Sequence, residues 1–570
     1  MIYTARNFFK VNNVVTAAQK ILVAVAWPYA NGSIHVGHVA GTYLPADIFA
    51  RYHRLRGNDV LMVSGSDAHG TPVTLEAEKR GVSPGEVADF YLNEFKDNWS
   101  RLGISFDLFT STSTETHAKV SQDLFLTLKK NGYIYEKPMH QPFCLDDNRF
   151  LADRYVEGQC PLCSYEKARG DQCDSCGRTL DPQDLINLTC GLCGGSPEIR
   201  ETIHFFFKLT EFEDLLKQWV SKKSDWKPNV LNFTKGFLEG GLVDRPITRD
   251  IEWGVEVPLP GYESKRLYVW FEAVIGYLSA SQEWANMNGD PQAWKDFWTG
   301  ESQSYYFMGK DNIIFHSILW PAMLMGNKNL NLPTNVPANE YLNMEGFKLS
   351  TSRNWAVWLP DYLDRYEPDP LRYVITSNLP ELSDSDFSWK EYVRSNNDEL
   401  VATYGNLIHR VLSMAFNYFD GKVPDNKSID TECDELLSKC DETILMVGQS
   451  IEKAQFRKGL SLAMGLASDA NKFLEERKPW QSNKTDKSKT AASLWTALSV
   501  INCLRVVMEP YLPFSSIKLK SMLGFSNDKT SNWTWNQNDL MPGTPIEKPD
   551  LLFKKLDDVV IETEDAKLRA

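Results

Sequence analysis

The stretch AWPYANGSIHVGH, residues 26–38, decides the fold because it joins an apolar run to a polar, glycine-bearing turn and then to a helical pattern. The run KILVAVA (20–26) predicts a buried strand, and a helix is predicted to begin near Ser33 and to end at Gly57. A second strand and polar turn follow in DVLMVSGSDAHGTP (59–72). Strand, helix and strand with a glycine in the first turn are typical of a doubly wound, Rossmann-type parallel sheet, so we predict an α/β fold.

The same alternation returns after a long interruption, which divides the chain into segments. A helical pattern dominates from residue 391 onward. The sequence therefore predicts one Rossmann domain, interrupted by an insertion and followed by an all-α bundle. The predicted segments are an N-terminal extension (1–20), the first half of the Rossmann domain (21–114), the insertion (115–267) with its cysteine knuckles (144–193), the second half (268–340), a loop and stem-contact region (341–390), the helical domain (391–540) and a tail that packs back on the body (541–570).

Length and charge limit the kind of protein. A chain of 570 residues exceeds one hydrophobic core, and no apolar run approaches the roughly 20 residues that cross a bilayer, so we expect a cytoplasmic protein without a membrane partner. The formal net charge of -14 argues against indiscriminate nucleic-acid binding, although a selective RNA partner remains compatible with it. The basic opening, residues 1–20, allows a mitochondrial transit segment as the alternative, but it lacks the arginine and serine richness of such segments and is interpreted as a short disordered extension.

Cysteines supply the strongest local signal. Seven of the ten lie between residues 144 and 193, largely in C-x-x-C pairs, which favours metal binding in a reducing compartment. Two pairs that are nine residues apart offer four thiolates to one zinc ion, the alternative being reduced structural thiols. The pair Cys190 and Cys193 needs two further ligands, and Cys144 with Asp147 could supply them from another part of the fold. Both predicted zinc sites have four protein ligands and would be structural: Cys160, Cys163, Cys173 and Cys176 form the first, and Cys144, Asp147, Cys190 and Cys193 form the second.

The two histidines of the opening stretch, His35 and His38, allow three interpretations. A zinc site is disfavoured because the H-E-x-x-H spacing is absent, and buried core histidines are the plain alternative. The third places both rings one helical turn apart at a helix N-terminus, where backbone N–H groups favour an anion. The loop FKLSTSRN (347–354) adds a lysine, three hydroxyl residues and an arginine, which supports a phosphate site.

Taken together, these motifs resemble the class I aminoacyl-tRNA synthetases, with HVGH similar to their HIGH signature and KLSTS to their KMSKS loop. The resemblance narrows to the methionyl-tRNA synthetase family, in its archaeal-like form with two zinc knuckles. It extends from about residue 20 to 525, through AWPYANGSIHVGH, DAHGTP, YVWFEAVIGY, GKDNIIFHSILWPA, FKLSTSRN, YGNLIHR and ERKPW in family order.

The resemblance implies an adenylation site for ATP, used with Mg²⁺. The family loop's second lysine is Thr351 here, so Lys310 or Arg353 is expected to supply the missing charge. The resemblance implies catalytic roles for His35, His38, Lys348, Ser350 and Ser352, and ATP binding by Asn31, Gly32, His35, Gly37, His38, Lys310, Asp311, Lys348 and Thr351.

Two further sites are implied in the same way. Trp27, Val274 and Asn312 differ from the residues that are common in bacterial relatives. The resemblance therefore does not define the outline of the amino-acid pocket at these three positions. Asp67 would meet the α-ammonium group of methionine, and the pocket is expected to comprise Ala26, Trp27, Tyr29, Asp67, Trp270, Ala273, Tyr277 and His316. The anticodon CAU would be read by Asn406, Arg410, Pro479 and Trp480.

The implied function is ligation of L-methionine to the 3′ end of tRNA(Met) through methionyl-adenylate, for translation initiation and elongation, by a monomer. Two alternatives stay open at this point. One is a zinc-dependent RNA-binding relative with a dead nucleotide site. The other is a class I synthetase for isoleucine, leucine, valine or cysteine, although the insertion of about 150 residues is short for an editing domain.

Overall fold

The computed structural model describes residues 18–151, 155–170, 173, 175, 176, 178, 180, 182–350, 354–526 and 531–568. Most of the predicted N-terminal extension lies outside these residues. The strands are β1 (Lys20–Val25), β2 (Asp59–Ser66), β3 (Leu108–Ser111), β4 (Ile134–Cys144), β5 (Arg149–Phe150), β6 (Val156–Gln159), β7 (Ala168–Arg169), β8 (Ile186–Cys190), β9 (Glu198–Phe207), β10 (Arg245–Pro246), β11 (Thr248–Arg249), β12 (Arg266–Leu267), β13 (Gln303–Gly309), β14 (Ala338–Asn339), β15 (Leu342–Met344), β16 (Phe347–Lys348) and β17 (Ser385–Phe387).

Helices connect and cover these strands, and π-helical turns occur at Val39–Tyr43, Phe315–Leu319 and Ser395–Gly405. The α-helices are α1 (Val36–His38), α2 (Leu44–Leu55), α3 (Thr71–Arg80), α4 (Pro84–Leu102), α5 (Glu115–Lys130), α6 (Glu213–Val220), α7 (Pro228–Glu239), α8 (Val269–Glu272), α9 (Gly276–Met287), α10 (Lys295–Trp298), α11 (Trp320–Asn327), α12 (Leu359–Leu363), α13 (Pro368–Ser377), α14 (Trp389–Arg394), α15 (Asn406–Tyr418), α16 (Thr431–Glu452), α17 (Phe456–Arg477), α18 (Pro479–Ser482), α19 (Lys487–Met508), α20 (Pro513–Met522) and α21 (Val559–Leu568).

The central sheet has the strand order β14-β13-β1-β2-β3, and its neighbours pair in parallel. Strand β1 lies between β2 and β13, with Ile21 opposite both Val60 and Gln303. The two partners of β1 come from either side of the insertion. The predicted Rossmann-type sheet, interrupted by an insertion and followed by helices, is therefore confirmed.

The first helix begins later than the sequence predicted. The helical segment starts at Val36 rather than near Ser33, and α2 ends at Leu55. His35 is the N-cap: its backbone is extended, with φ -123° and ψ 168°, and its ring accepts a hydrogen bond from the Gly37 N–H. Extended backbone at the N-cap keeps residues 33–35 out of the helix.

The insertion is built on a long antiparallel pair, β4 with β9, in which Ile134 is opposite Phe207. A smaller three-stranded sheet, β7-β6-β8, carries the cysteine hairpins. Cys144, Cys160, Cys173 and Cys190 are buried in a small apolar cluster with Leu151 and Val156. This cluster is small, so we expect metal ligands to stabilise the sheet.

Helices dominate the C-terminal part, where α16, α17 and α19 pack together. Helix α19 is long and apolar enough to cross a membrane by composition, but 94% of its apolar window is buried inside the protein. The expectation that no apolar segment reaches that length is wrong for this helix, because its polar residues, among them Thr490, Ser493 and Asn502, interrupt the apolar run but are buried with the rest of the helix.

A buried arginine joins the Rossmann domain to the helical domain. Arg372, on α13, donates to Asp47 Oδ2 at 2.7 Å, to the Pro510 carbonyl at 2.9 Å and to the Tyr511 carbonyl at 2.8 Å. Burial opposes ionisation of Asp47, but Arg51 and Arg372 hold its pKa at about 2. A charged, multiply bonded guanidinium with no exposed surface fixes the relative position of the three segments it contacts.

The C-terminal tail also contacts the body of the protein. The Asn397 side chain donates to the Leu556 carbonyl at 2.9 Å, and the Tyr366 hydroxyl donates to the buried Glu564 at 2.8 Å. Arg365 forms an ion pair with the same glutamate.

Candidate active site

Three loops meet at the carboxyl edge of the central sheet. The Ala26 N–H, just after β1, donates to the Phe307 carbonyl of β13 at 2.9 Å. On the other side, the Asp67 N–H donates to the Pro28 carbonyl and the Ala30 N–H donates to the Asp67 carbonyl, each at 2.8 Å. Ligands of open parallel sheets bind at this edge. The residues predicted for methionine and ATP from these loops are therefore neighbours.

His35 and His38 form a stacked pair at the start of α1. Their ring centroids are 3.8 Å apart with an interplanar angle of 34°. The Gly37 N–H donates to His35 Nδ1 at 3.1 Å, and the His35 N–H donates to His38 Nδ1 at 3.2 Å. Because both Nδ1 atoms accept, we assign the proton of each neutral ring to Nε2.

Both rings are uncharged in the free protein. Burial lowers the pKa of His38 to about 4, and burial together with His38 holds the pKa of His35 well below its usual value. The pair therefore offers two Nε2–H donors without positive charge. Neutral imidazoles can donate to phosphate oxygens as the charge on those oxygens develops.

The FKLSTSRN loop lies against this pair. A Cβ atom at Gly37 would lie 2.5 Å from Leu349 Cδ1 and 2.9 Å from His35 Cε1, so only glycine fits without displacement. The chain after the loop pairs with the residues before α1: the Leu359 N–H donates to the Ile34 carbonyl at 2.8 Å. Ser350 is described, whereas Thr351, Ser352 and Arg353 lie outside the described residues.

Two lysines flank one aromatic ring beside this loop. Lys310 Nζ lies 4.0 Å and Lys348 Nζ 5.2 Å from the ring centroid of Tyr341. Lys310 also forms ion pairs with Glu340 and Asp384, each at 2.8 Å, while Lys348 is exposed. The neighbouring Asp311 accepts a hydrogen bond from the Tyr341 hydroxyl. The loop lysine and Lys310 are thus close enough to face one ligand.

The predicted methionine pocket contains a buried carboxylate. Asp67 is 5% exposed, and burial together with nearby Glu272 holds its pKa well above the usual range, although the His69 N–H bond opposes this. The indole of Trp27 fits between two glycines: a Cβ at Gly65 or at Gly276 would lie 2.5 or 2.8 Å from its ring. These glycines explain how a tryptophan is accommodated here.

The other pocket residues lie on the second half of the sheet. The Tyr277 hydroxyl and His316 Nε2 are 2.7 Å apart, and His316 Nδ1 lies 2.8 Å from the Asn312 carbonyl. Since Nδ1 donates to that carbonyl, Nε2 accepts from Tyr277. Burial lowers the pKa of His316 to about 4, so the ring is neutral. Trp270 stands edge-on to Phe315, at a centroid distance of 5.3 Å.

Two cavities adjoin these groups. A cavity of about 160 Å³ lies beside Trp270 and Phe315 and has mainly apolar walls. A wider cleft of about 700 Å³ is lined by Asn31, Gly32 and Trp358, and by residues of the insertion. The second cleft provides space for a polar ligand between the HVGH turn and the insertion.

Sequence reasoning missed a buried acid and two histidines. Glu272 lies between His69, whose Nδ1 is 2.9 Å from one carboxylate oxygen, and His117, whose Nε2 is 2.5 Å from the other. Glu272 and His69 lie inside the quoted motifs YVWFEAVIGY and DAHGTP. His117 lies outside all quoted motifs, on α5, and only tertiary structure brings the three together.

The two cysteine groups are each assembled as predicted. In each group the four ligand atoms lie within 4.8 Å of one another. Cys163 and Cys173 have sulfurs 3.6 Å apart, and those of Cys144 and Cys193 are 3.5 Å apart. Four thiolates at about 2.3 Å from one tetrahedral ion would be about 3.8 Å apart. The residues present therefore fit a metal ion in both groups.

The predicted anticodon residues lie in the first turns of α15 and at the start of α18. The Arg410 guanidinium lies 5.4 Å from the ring centroid of Trp480 and 2.8 Å from Glu475. Asn406 is exposed at the start of α15, and Pro479 is buried at the start of α18. A half-exposed indole beside an arginine can stack with an unpaired base.

Comparisons with known proteins agree with this architecture. Residues 21–412 match the family model described as "tRNA synthetases class I (M)", and residues 423–569 match the "Anticodon binding domain of methionyl tRNA ligase". A methionine–tRNA ligase of Dehalococcoides mccartyi (strain CBDB1) is 54% identical over 551 residues, which cover 97% of this chain and 100% of the relative. That of Thermomicrobium roseum is 48% identical over 579 residues, 97% of this chain and 99% of the relative.

A solved structure is similar over nearly the whole length. It is Mycobacterium tuberculosis methionyl-tRNA synthetase in complex with methionyl-adenylate, with a TM-score of 0.78 and 25% sequence identity. The similarity covers 94% of this chain and 100% of that one.

The contact at Gly37 yields a direct test. We expect Gly37→Ala to weaken ATP binding about tenfold or more, because the new methyl group must displace Leu349 or the His35 ring from the stacked pair. Isothermal titration with ATP measures the effect. The matched control is Gly41→Ala in the next turn, where a Cβ meets nothing within 4 Å. Equal ATP affinities for the two variants would contradict this account of the turn.

Proposed function

The chain belongs to the methionyl-tRNA synthetase family of class I aminoacyl-tRNA synthetases, and from that premise we propose which of its residues carry out each step. The protein is a methionine–tRNA ligase, which joins methionine to tRNA at the expense of ATP. The observation that carries the assignment of roles is the convergence of the stacked His35/His38 pair, Asp67 and Lys348 at one edge of the sheet.

In the first step a carboxylate oxygen of methionine attacks the α-phosphorus of ATP, and the bond to pyrophosphate breaks. We assign the Nε2–H groups of His35 and His38 to phosphate oxygens that gain charge in this transition state. Gly37 allows the backbone to approach closely. We assign the remaining ATP contacts to Asn31, Gly32, Lys310, Asp311, Lys348 and Thr351.

The FKLSTSRN loop would hold the leaving pyrophosphate. Lys348 is exposed at the start of this loop, and Ser350 and Ser352 would supply hydroxyl donors. With threonine at position 351, Lys310 is the second cation that we assign, because it flanks the same Tyr341 ring. Its ion pairs with Glu340 and Asp384 would then exchange for phosphate oxygens. Mg²⁺ would neutralise part of the triphosphate charge when it is bound with ATP.

Asp67 is the group that we assign to the α-ammonium of methionine. A bound cation favours the ionised carboxylate, so methionine binding promotes the loss of any proton that Asp67 holds in the free protein. Neutral His316 and Tyr277 would contact the thioether, together with the apolar and aromatic surfaces of Ala26, Trp27, Tyr29, Trp270 and Ala273.

In the second step the 3′-terminal ribose hydroxyl of tRNA attacks the adenylate carbonyl, and AMP leaves. Selection of tRNA(Met) is assigned to the CAU anticodon, with Trp480 and Arg410 offering stacking surfaces and Asn406 hydrogen bonds beside Pro479. We further propose that the enzyme is a cytoplasmic monomer that serves translation initiation and elongation.

Both cysteine groups are proposed to hold zinc. Thiolates favour this ion, and the four ligands of each group would leave no position for a catalytic water. Zinc would serve here as a crosslink between hairpins. The ligands of the first ion are the four cysteines between 160 and 176, and those of the second are Cys144, Asp147, Cys190 and Cys193.

Amino-acid-dependent exchange of pyrophosphate into ATP tests the activity. We expect exchange with methionine and none of comparable efficiency with isoleucine, leucine, valine or cysteine. His38→Ala should lower the exchange rate by about 10²- to 10³-fold, because a donor to the transition state is lost. His140→Ala, at an exposed histidine of the insertion, is the control. Wild-type activity in the His38→Ala enzyme would contradict the proposed role, and preference for another amino acid would contradict the substrate.

Anticodon reading can be separated from adenylation. We expect Trp480→Ala to raise the KM for tRNA(Met) by about 10- to 100-fold, since one stacked base contributes about 1–3 kcal/mol. Methionine-dependent exchange should stay at the wild-type rate. Trp480→Phe keeps an aromatic surface and should recover most of the loss. An unchanged KM in the Trp480→Ala enzyme would remove this residue from the anticodon site.

Metal analysis tests the two cysteine groups one at a time. Protein purified from zinc-supplemented medium should contain two zinc ions per chain, as measured by elemental mass spectrometry. Cys160→Ser and Cys190→Ser should each remove one ion and lower the melting temperature, because each group holds separate hairpins. Replacing Cys433, a buried cysteine of α16 outside both groups, should leave the metal content unchanged. A metal content that does not respond to Cys190→Ser would exclude the second site.

A further inference from the structure

A buried carboxylate without a role in the steps above lies next to the residues assigned to the methionine pocket. Glu272 has no exposed surface and ends α8, the short helix that carries Trp270. Its two oxygens are held by His69 Nδ1 at 2.9 Å and by His117 Nε2 at 2.5 Å. His117 is anchored in turn, with Nδ1 2.9 Å from the Ser279 hydroxyl. A buried acid with both oxygens bonded stays in a defined orientation.

His69 connects this acid to Asp67. The His69 N–H donates to Asp67 Oδ1 at 3.3 Å, while its ring is bonded to Glu272. The backbone of Asp67 is already held on the other side by Pro28 and Ala30. The orientation of the Asp67 carboxylate therefore depends on His69, and the position of His69 depends on Glu272.

Glu272 also belongs to the wall that would enclose the thioether. Its helix is followed by a 3₁₀ turn (Ala273–Ile275) and then by α9, whose second residue is Tyr277. The same carboxylate is thus tied to the ammonium end of the pocket through His69 and to the side-chain end through its own helix.

We propose that Glu272 is a positioning residue for methionine, which aims the Asp67 carboxylate at the α-ammonium group by anchoring His69 to the wall of the pocket. This inference rests on the proposed function. Glu272 does not touch the substrate; it acts through His69.

The charges around Glu272 agree with this arrangement. The titratable groups that face the two carboxylates, Glu272 and Asp67, are His69, His117 from α5 and Tyr277 from α9. Burial disfavours ionisation of Glu272, but the two histidines hold its pKa below the usual value. Glu272 is thus the carboxylate that stays charged in the free protein, and Asp67 is the one left to gain its partner from the ligand.

Three ligands separate a positioning role from a general structural one. L-methionine carries the ammonium, carboxylate and thioether; L-methioninol keeps the ammonium and lacks the carboxylate; 4-(methylthio)butanoate lacks the ammonium. Dissociation constants for all three are measured by isothermal titration on wild type, Glu272→Leu and Glu272→Gln. Glutamine keeps the shape and can still accept from His69, whereas leucine fills the volume without bonding.

We expect Glu272→Leu to raise the dissociation constants of methionine and methioninol about tenfold, which is the loss typical of one hydrogen bond to a charged group. The affinity for 4-(methylthio)butanoate should change by less than about twofold, since that ligand makes no use of Asp67. Glu272→Gln should recover most of the loss. In exchange assays the KM for methionine should rise more than kcat falls.

Several outcomes would overturn the proposal. Equal losses for all three ligands in the Glu272→Leu protein would make Glu272 a purely structural residue, and unchanged methionine affinity would remove it from the pocket. If that protein does not fold, His69→Phe carries the same test, because it keeps a ring and the backbone N–H while losing the bond to Glu272. Wild-type protein that binds no methionine would instead refute the proposed function, which distinguishes the two failures.

Discussion

Parallel pairing of β1 with β2 on one side and β13 on the other is the constraint on which the site depends. Residues 21–25 of β1 have no exposed surface, because a strand at the centre of a parallel sheet is covered on both faces. This burial holds β1 in place. Its carboxyl end delivers residues 26–29, that of β2 delivers Asp67, and that of β13 delivers Lys310. An insertion between β3 and β13 is tolerated because it leaves and re-enters the sheet without disturbing these pairings.

Desolvation then determines the charges of the groups collected there. His35, His38 and His316 are neutral because burial penalises imidazolium, and the pKa of Asp67 is raised for the corresponding reason. The free site therefore contains polar groups that gain their charge partners only from ligands. In a chain with a net charge of -14, the proposed phosphate site would attract its ligand through local N–H donors and two lysines rather than through the overall field of the protein.

Much of the fold and the two cysteine groups could be predicted from the sequence. The strand, turn and helix around residues 20–57 follow from apolar patterning, and the cysteine groups follow from spacing that matches tetrahedral coordination. The sequence could not show that His35 is an N-cap, because its extended backbone depends on pairing near Trp358. It also could not show the link of His69, Glu272 and His117, since three distant segments must fold before these side chains meet. The sequence did not indicate a long apolar helix at α19 because polar residues interrupt its apolar run, although packing buries these polar residues as well.

A crystal structure of this protein with methionyl-adenylate would show whether the residues assigned to the adenylation step contact its ligand. We expect the ammonium within hydrogen-bond distance of Asp67, about 2.7–3.2 Å, and His35 or His38 Nε2 equally close to an oxygen of the α-phosphate. We also expect the thioether beside Tyr277 and His316. An adenylate bound away from Asp67, or with its phosphate turned away from the stacked histidines, would contradict these assignments.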